Sequence, residues 1–195
     1  IYDTLLARQT CEDLQLALKN KGYLDAHVKL FINTHRRKID ALYVLHPGRP
    51  YFINDYSTVI QDSVIAKLIA HRKPLLHNGL QFSTDALNTE RSHLTTYLQD
   101  QGYFRFHKEF ITYRAHKDTA RHEVGLTMVL HPYRANSEAK DTLHSRYWIR
   151  DIHYESGTQN DSIIHLRPSV LKENTFLESG KTYSSTQLQN TYNHF

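Results

Sequence analysis

Fourteen histidines are the residues of this 195-residue chain with the widest chemical reach, since imidazole can ligate a metal or carry a proton. Their spacing argues against a metal site. The closest pairs, His71 with His77 and His116 with His122, stand six residues apart. No two sit at i, i+4 on a helix or i, i+2 on a strand, the spacings that put two ligands on one face. Glycines at 22, 48, 79, 102, 125, 157 and 180 make no phosphate-cradling loop, and no Gly-x-Ser-x-Gly elbow presents a nucleophile. The single Cys11 excludes an internal disulfide and reads as a small, buried or half-buried helix residue. The expectation is no catalytic residue, no metal, no cofactor and no small-molecule substrate. What remains for function is the hydrogen-bonding backbone.

The elements that carry that backbone are repeated. Leu14, Leu18, Gly22 and Tyr23 recur as Leu94, Leu98, Gly102 and Tyr103, each 80 residues on. Leu45-His46-Pro47 returns as Leu130-His131-Pro132, and Tyr51-Phe52-Ile53 as Tyr147-Trp148-Ile149. A third register carries Gly79, Phe82, Ser83 and Thr84 to Gly180, Tyr183, Ser184 and Ser185, 101 residues on. The offset of 80 carried backward sets Tyr2 and Asp3 against Phe82 and Ser83. Such repetition means small modules in series, each burying most of its own apolar face.

Composition agrees with folded modules. Hydrophobic residues make 39% and charged residues 23%, no low-complexity tract interrupts them, and no apolar run reaches the length of a membrane span. No signal peptide opens the chain, so it reads as soluble and as a piece of a longer protein. A net charge of +4 raises the question of nucleic acid, but 24 basic and 20 acidic residues are interleaved. The one dense basic run, Arg36-Arg37-Lys38, falls at a hairpin turn, and no nucleic-acid partner is expected.

Local pattern orders the elements. Asp3 caps a helix whose apolar side is Leu6, Leu14, Ala17 and Leu18, and Gly22 stops it. Ser83 caps its second copy, striped by Leu87, Leu94 and Leu98 and stopped by Gly102. Alternation over 26–33 and 39–45 predicts a β-hairpin turning on residues 34–38. In the second copy a strand opens with Phe104 and Phe106, changes apolar parity before Ile111 and Tyr113 as a bulge would, and returns through Val124, Leu126, Met128 and Leu130. A strand at 51–60 and a helix from Ser63 to His71 complete this unit as strand, helix, helix, strand, strand. Its last copy shows a strand at 147–155, a short helix near Pro168, Val170 and Leu171, and the Ser184 cap. Residues 134–146 and 156–161 read as exposed loops.

This βααββ order, with Gly-Tyr joining second helix to second strand, resembles the POTRA (polypeptide-transport-associated) domains of the BamA/TamA outer-membrane assembly family. The residues carrying the likeness are Gly79-x-x-Phe82-Ser83, Leu94-x-x-x-Leu98-x-x-x-Gly102-Tyr103-Phe104, Leu130-His131-Pro132 and Tyr147-Trp148-Ile149-x-x-Ile152. The wording Ile1-Tyr2-Asp3, Asn20-Lys21-Gly22-Tyr23, His46-Pro47-Gly48 and Leu166-Arg167-Pro168-Ser169-Val170-Leu171 is most similar to the TamA-like surface antigens of Bacteroidetes. The resemblance implies an α+β fold of tandem βααββ modules, each a three-stranded sheet covered by two helices. It implies a partial module at 1–48, a complete one at 49–146 and a partial one at 147–195, all within the periplasmic part of an outer-membrane protein.

It also implies a non-enzymatic role in membrane-protein assembly or protein transport. The last strand of each module lies mid-sheet and the second strand at an edge, where an unfolded outer-membrane protein or a periplasmic partner can add as a further strand. The candidate edges are Val28, Lys29, Leu30, Phe31 and Ile32, and Phe104, Arg105, Phe106, His107, Lys108, Glu109, Phe110, Ile111, Thr112 and Tyr113. The competing reading is of ordinary edges whose charges, Lys29, Arg105, His107 and Lys108, resist pairing. On that reading the chain is a periplasmic spacer that holds no client; on either, a C-terminal β-barrel in the intact protein would be its sole tie to the membrane. An RNA-binding α+β module is a third reading, requiring exposed aromatics on a basic sheet face.

Overall fold

The computed structural model describes residues 3–36, 38–136, 138–155 and 167–195. Helix α1 (Thr4–Asn20) begins where the Asp3 carboxylate accepts the amides of Leu5 and Leu6, which helix geometry otherwise leaves unpaired. It ends in a Schellman motif. Tyr23 N donates to Leu18 O (3.1 Å) and Gly22 N to Lys19 O (2.9 Å), with Gly22 left-handed at φ +93°. Strands β1 (His27–His35) and β2 (Lys38–His46) pair antiparallel, His27 opposite His46 and His35 opposite Lys38. The turn is thus tighter than the 34–38 expected. Thr34 and Lys38 belong to the ladder, and Arg36, at φ +54°, has the left-handed backbone that two-residue hairpins use.

The middle of the chain runs β3 (Phe52–Ile60), α2 (Ser63–Ala70), α3 (Thr84–Asp100), β4 (Ile111–Asp118) and β5 (Glu123–Leu130), the βααββ order expected of an α+β module. Asp62 caps α2 through Val64 N and Ile65 N, and Ser83 Oγ takes Ala86 N at the start of α3 (3.0 Å). The sheet order is β3-β5-β4, so the last strand lies between its neighbours and β4 at an edge. Asn54 pairs with Glu123 and Ser57 with Thr127. Partners rising together mean that β3 runs parallel to β5, which the intervening crossover requires. The last elements are α4 (Pro168–Glu173) and α5 (Ser185–His194), the latter capped by Ser184 Oγ from Gln187 N (3.2 Å).

Two strands differ from expectation. The strand expected from Phe104 begins only at Ile111, because Phe104, Phe106 and Phe110 spend their amides on local carbonyls. Phe104 N donates to Gly102 O, Phe106 N to Tyr103 O and Phe110 N to His107 O, and Lys108–Phe110 form a 3₁₀ turn. That turn, and no bulge, changes the apolar parity. Residues 147–155 form no strand beyond one bridge, Trp148 to Thr182. The 134–146 loop carries a bridge between Tyr133 and Thr142. Expectations for Tyr2, Arg37, Ser137, Gly157, Leu166 and the 156–161 loop fall outside the described residues.

The chain divides into two compact units. The first gathers Ile1–Val59, Arg72–Glu90 and Thr112–Val129. Its core joins Tyr51, Ile53, Leu76, Phe82, Val124 and Leu126, flanked by Leu24, Tyr56, Leu80, Leu87 and Tyr113. The second gathers Ile60–His71, Arg91–Ile111 and Leu130–Phe195, and buries Ile65, Leu94, Leu98, Tyr103, Phe106 and Ile111. Among the described residues no helix is long and apolar enough to cross a membrane.

Candidate functional site

The first candidate edge lies in β1, where Val28 to Ile32 face Leu45 to Ala41 of β2 in unbroken register. Val28 is buried and Leu30 half-buried, while Lys29, Phe31 and Ile32 are exposed. In the second candidate only Ile111, Thr112 and Tyr113 belong to a strand. Phe104 stands edge-on to Tyr147 and Tyr183 (5.8 and 4.9 Å), and Arg105 lies over the Tyr147 ring. Phe106 is buried against Phe110 and His144. The carbonyl of Phe106 accepts from Gln99 Nε2 and that of Lys108 from the Arg91 guanidinium (both 2.8 Å). His107 stacks on Phe110, and Glu109 is exposed within the 3₁₀ turn. Phe106 therefore fills the interior and the Phe106 and Lys108 carbonyls are already taken, so residues 104–110, mostly exposed, offer no continuous strand edge.

The edge passes instead to β4 as a whole. His131 N donates to Phe110 O (2.8 Å), which makes 110 and 131 a bonded pair at the foot of the β4–β5 ladder. Antiparallel pairing alternates with a period of two, so Ala115 and Lys117 turn their amides away from β5. Arg114, Ala115, His116 and Lys117 are all exposed.

The repeated glycines position two junctions with the same backbone pattern. In the first compact unit Tyr51 N donates to Gly22 O (2.9 Å), Phe82 N to Tyr51 O (2.9 Å), Ile53 N to Leu80 O (2.8 Å) and Gly79 N to Ile53 O (2.7 Å). In the second, Tyr147 N donates to Gly102 O (2.8 Å), Tyr183 N to Tyr147 O (3.0 Å), Ile149 N to Lys181 O (2.8 Å) and Gly180 N to Ile149 O (2.7 Å).

Side chains finish each junction differently. At the first, the Asp25 carboxylate accepts the Tyr51 hydroxyl (2.6 Å) and pairs with the Lys117 ammonium, which also lies over the Tyr51 ring. The Lys117 hydrogen bond, then that of Tyr51, holds the Asp25 carboxyl below its ordinary value, and Asp25 raises Lys117 in turn. At the second, Asp100 accepts Ser184 Oγ (2.8 Å), Thr186 N (2.8 Å) and Thr186 Oγ1 (2.6 Å), a carboxylate set at the start of α5. Nothing in the repeat singled out Asp25, Lys117 or Asp100. The signal within reach was an acidic residue closing a helix whose next copy opens with Ser184-Ser185-Thr186.

Also in the second unit, His144 is buried among Phe106, Phe110 and Tyr133, and its Nε2 bonds His131 O (2.9 Å). Burial lowers its pKa. Among the described residues no group of three His, Cys, Asp or Glu is placed to hold a metal ion.

No protein-family model and no curated protein matches the chain. Solved structures do. The chain matches the crystal structure of Haemophilus influenzae BamA POTRA3-5 at 15% identity with a TM-score of 0.51, over 96% of this chain and 67% of that one. The chain has the POTRA fold. A second match is BamA from Haemophilus ducreyi lacking POTRA domains 1-3, at 15% identity and a TM-score of 0.40, over 67% of this chain and 23% of that one.

Proposed function

We propose that this chain is the periplasmic POTRA region of an outer-membrane protein assembly or translocation factor, and that an unfolded client or a periplasmic partner pairs with the outer edge of β4. The partial, complete and partial modules at 1–48, 49–146 and 147–195, and the kinship with TamA-like surface antigens, belong to this reading. It assigns the chain no catalytic role and ties it to the membrane through a barrel elsewhere in the protein. The observation that carries it is the order β3-β5-β4, which leaves the Ala115 and Lys117 amides on the outer side of an edge strand. Main-chain pairing there is indifferent to client sequence, as a carrier of many clients requires.

The test is Ala115→Pro, which removes one outward amide without touching the β4–β5 ladder. The variant is expected to keep the parent melting temperature and to lose most photo-crosslinking to a synthetic peptide copying one strand of an outer-membrane barrel. Undiminished crosslinking would contradict the reading. A second reading, the spacer that presents partners to a barrel without holding clients, is favoured by the two junctions. Each is closed by four backbone bonds and an acidic side chain, as a strut requires.

A further inference from the structure

Within the second compact unit, α2 and α3 form a groove that neither the β4 edge nor the glycine junctions use. It is lined by Val64, Lys67, Leu68 and His71 of α2 and by Tyr97 of α3, and has a volume of about 540 Å³. Positions 64, 67, 68 and 71 fall at i, i+3, i+4 and i+7, so the helix presents all four on one face. Val64 is 54% exposed and Lys67 and His71 are exposed, while Leu68 and Tyr97 are half-buried. The groove therefore combines apolar walls with a basic rim.

The end of α2 fixes that rim. The last carbonyls of a helix have no partner within it. Here Lys67 O accepts His71 Nδ1 (2.8 Å), Leu68 O accepts Tyr97 Oη (3.2 Å) and Ile69 O accepts the His71 amide. Both rings are thus held in place before anything binds, and carbonyls that would repel an anion at a helix C-terminus are covered. No carboxylate lines the groove. α2 contains no acidic residue, and Asp100, the acid of α3 nearest Tyr97 in sequence, is held by Ser184 and Thr186.

The walls decide what kind of occupant fits. Helices α2 and α3 hydrogen-bond within themselves, so the groove offers no strand edge, and a chain lying in it must satisfy its own amides and carbonyls while it buries apolar side chains. A helix does so. We infer that this groove seats an amphipathic helix of a partner protein, its large apolar side chains at i, i+3 and i+4 against Val64, Leu68 and Tyr97, and its flanking Asp or Glu residues facing Lys67 and His71. The inference does not depend on what β4 binds. Main-chain pairing at β4 is indifferent to client sequence, whereas this groove selects apolar spacing and negative charge, and so gives the chain a dedicated partner beside any client.

The test is fluorescence anisotropy of residues 1–195 with a labelled synthetic helix that carries leucines at i, i+3, i+4 and i+7 and glutamates on its flanks. The control is the same peptide with lysines in place of the glutamates. The glutamate peptide is expected to bind at least about tenfold tighter. Lys67→Glu should remove that preference and Val64→Glu should abolish binding of the glutamate peptide. Both positions are exposed, so both variants should keep the parent melting temperature. Ala115→Pro should bind the peptide as the parent does, which separates this groove from the β4 edge. Absent binding, equal binding of the two peptides, or binding that Val64→Glu leaves intact would overturn the inference. So would self-association of residues 1–195 that Val64→Glu abolishes, since a second copy would then be the occupant. Tighter binding to phosphatidylglycerol vesicles than to the glutamate peptide, lost in Val64→Glu, would overturn it in favour of an anionic membrane.

Discussion

A Cβ placed on Gly22 would fall on the carbonyl oxygen of Phe82. That oxygen belongs to the residue whose amide bonds Tyr51, while the Gly22 carbonyl accepts the Tyr51 amide (2.9 Å each). Gly22 therefore answers two demands together: a left-handed backbone at the end of α1 and close passage of the chain that opens the next helix.

Gly102 repeats the arrangement, its would-be Cβ lying 2.5 Å from Thr182 Cγ2 and 3.2 Å from Tyr147 O. Gly79, at φ +85°, has no atom within 4 Å of that position. Alanine at Gly79 should cost only the backbone term, about 1 kcal/mol. Alanine at Gly22 or Gly102 should cost about 2 kcal/mol or more, as crowding adds to backbone strain. Denaturant unfolding of the three variants checks this, and equal costs would remove the crowding argument.

The Asp25 and Lys117 pair predicts a stability plateau with two shoulders. Asp25 is held below its ordinary 3.8, so its contribution is complete above that pH and is lost as pH falls through the lower folded value. Lys117 is held above its ordinary 10.5, so its contribution is complete below that pH and is lost as pH rises through the folded value. Both side chains are more than a third exposed, so the pair contributes no more than about 1 kcal/mol. Asp25→Asn should lower the melting temperature slightly between pH 5 and 9, and its difference from the parent should begin to narrow as pH falls below about 3.8 and vanish below the lower folded value. A difference that persists unchanged in acid would refute the assignment.

Glu90 predicts a much larger effect. Its side chain is 1% exposed and receives Arg72 Nη1 (2.5 Å), Arg72 Nη2 (3.3 Å) and the Leu75 amide (2.9 Å). Removing the carboxylate leaves a guanidinium and an amide without it, so Glu90→Ala should destabilise by about 3–5 kcal/mol. Glu90→Gln, which keeps an acceptor for Leu75 N, should cost less. Chemical denaturation distinguishes the two, and near-neutral behaviour of Glu90→Ala would show the pair to be dispensable.

Much of this was written in the repeat. Asp3, Ser83 and Ser184 announce helix starts, Gly22 and Gly102 announce ends, and the Leu94-Leu98 stripe points inward, because caps and periodicity are local properties of the chain. Residues 104–110 misled for an equally physical reason. Alternating Phe104 and Phe106 look like strand, but whether a backbone pairs across a sheet or turns on itself depends on distant partners, here the donors Gln99 Nε2 and His131 N. Glu90 gave no sign, since a carboxylate on a helix is ordinarily solvated, and Arg72 and the Leu75 amide, eighteen and fifteen residues earlier in sequence, make its burial tolerable. Ile39 and Leu45 alternate as core residues do yet are exposed, since burial is a property of what lies against them.

The central claim is that a client strand adds to the outer edge of β4. The most direct measurement is residue-resolved amide exchange at Ala115 and Lys117, with and without a saturating synthetic peptide from an outer-membrane barrel strand. Strand addition predicts that both amides slow by at least tenfold on peptide binding, while those of Arg114 and His116, already turned toward β5, change little. Binding that leaves Ala115 and Lys117 exchanging at their free rate would contradict it.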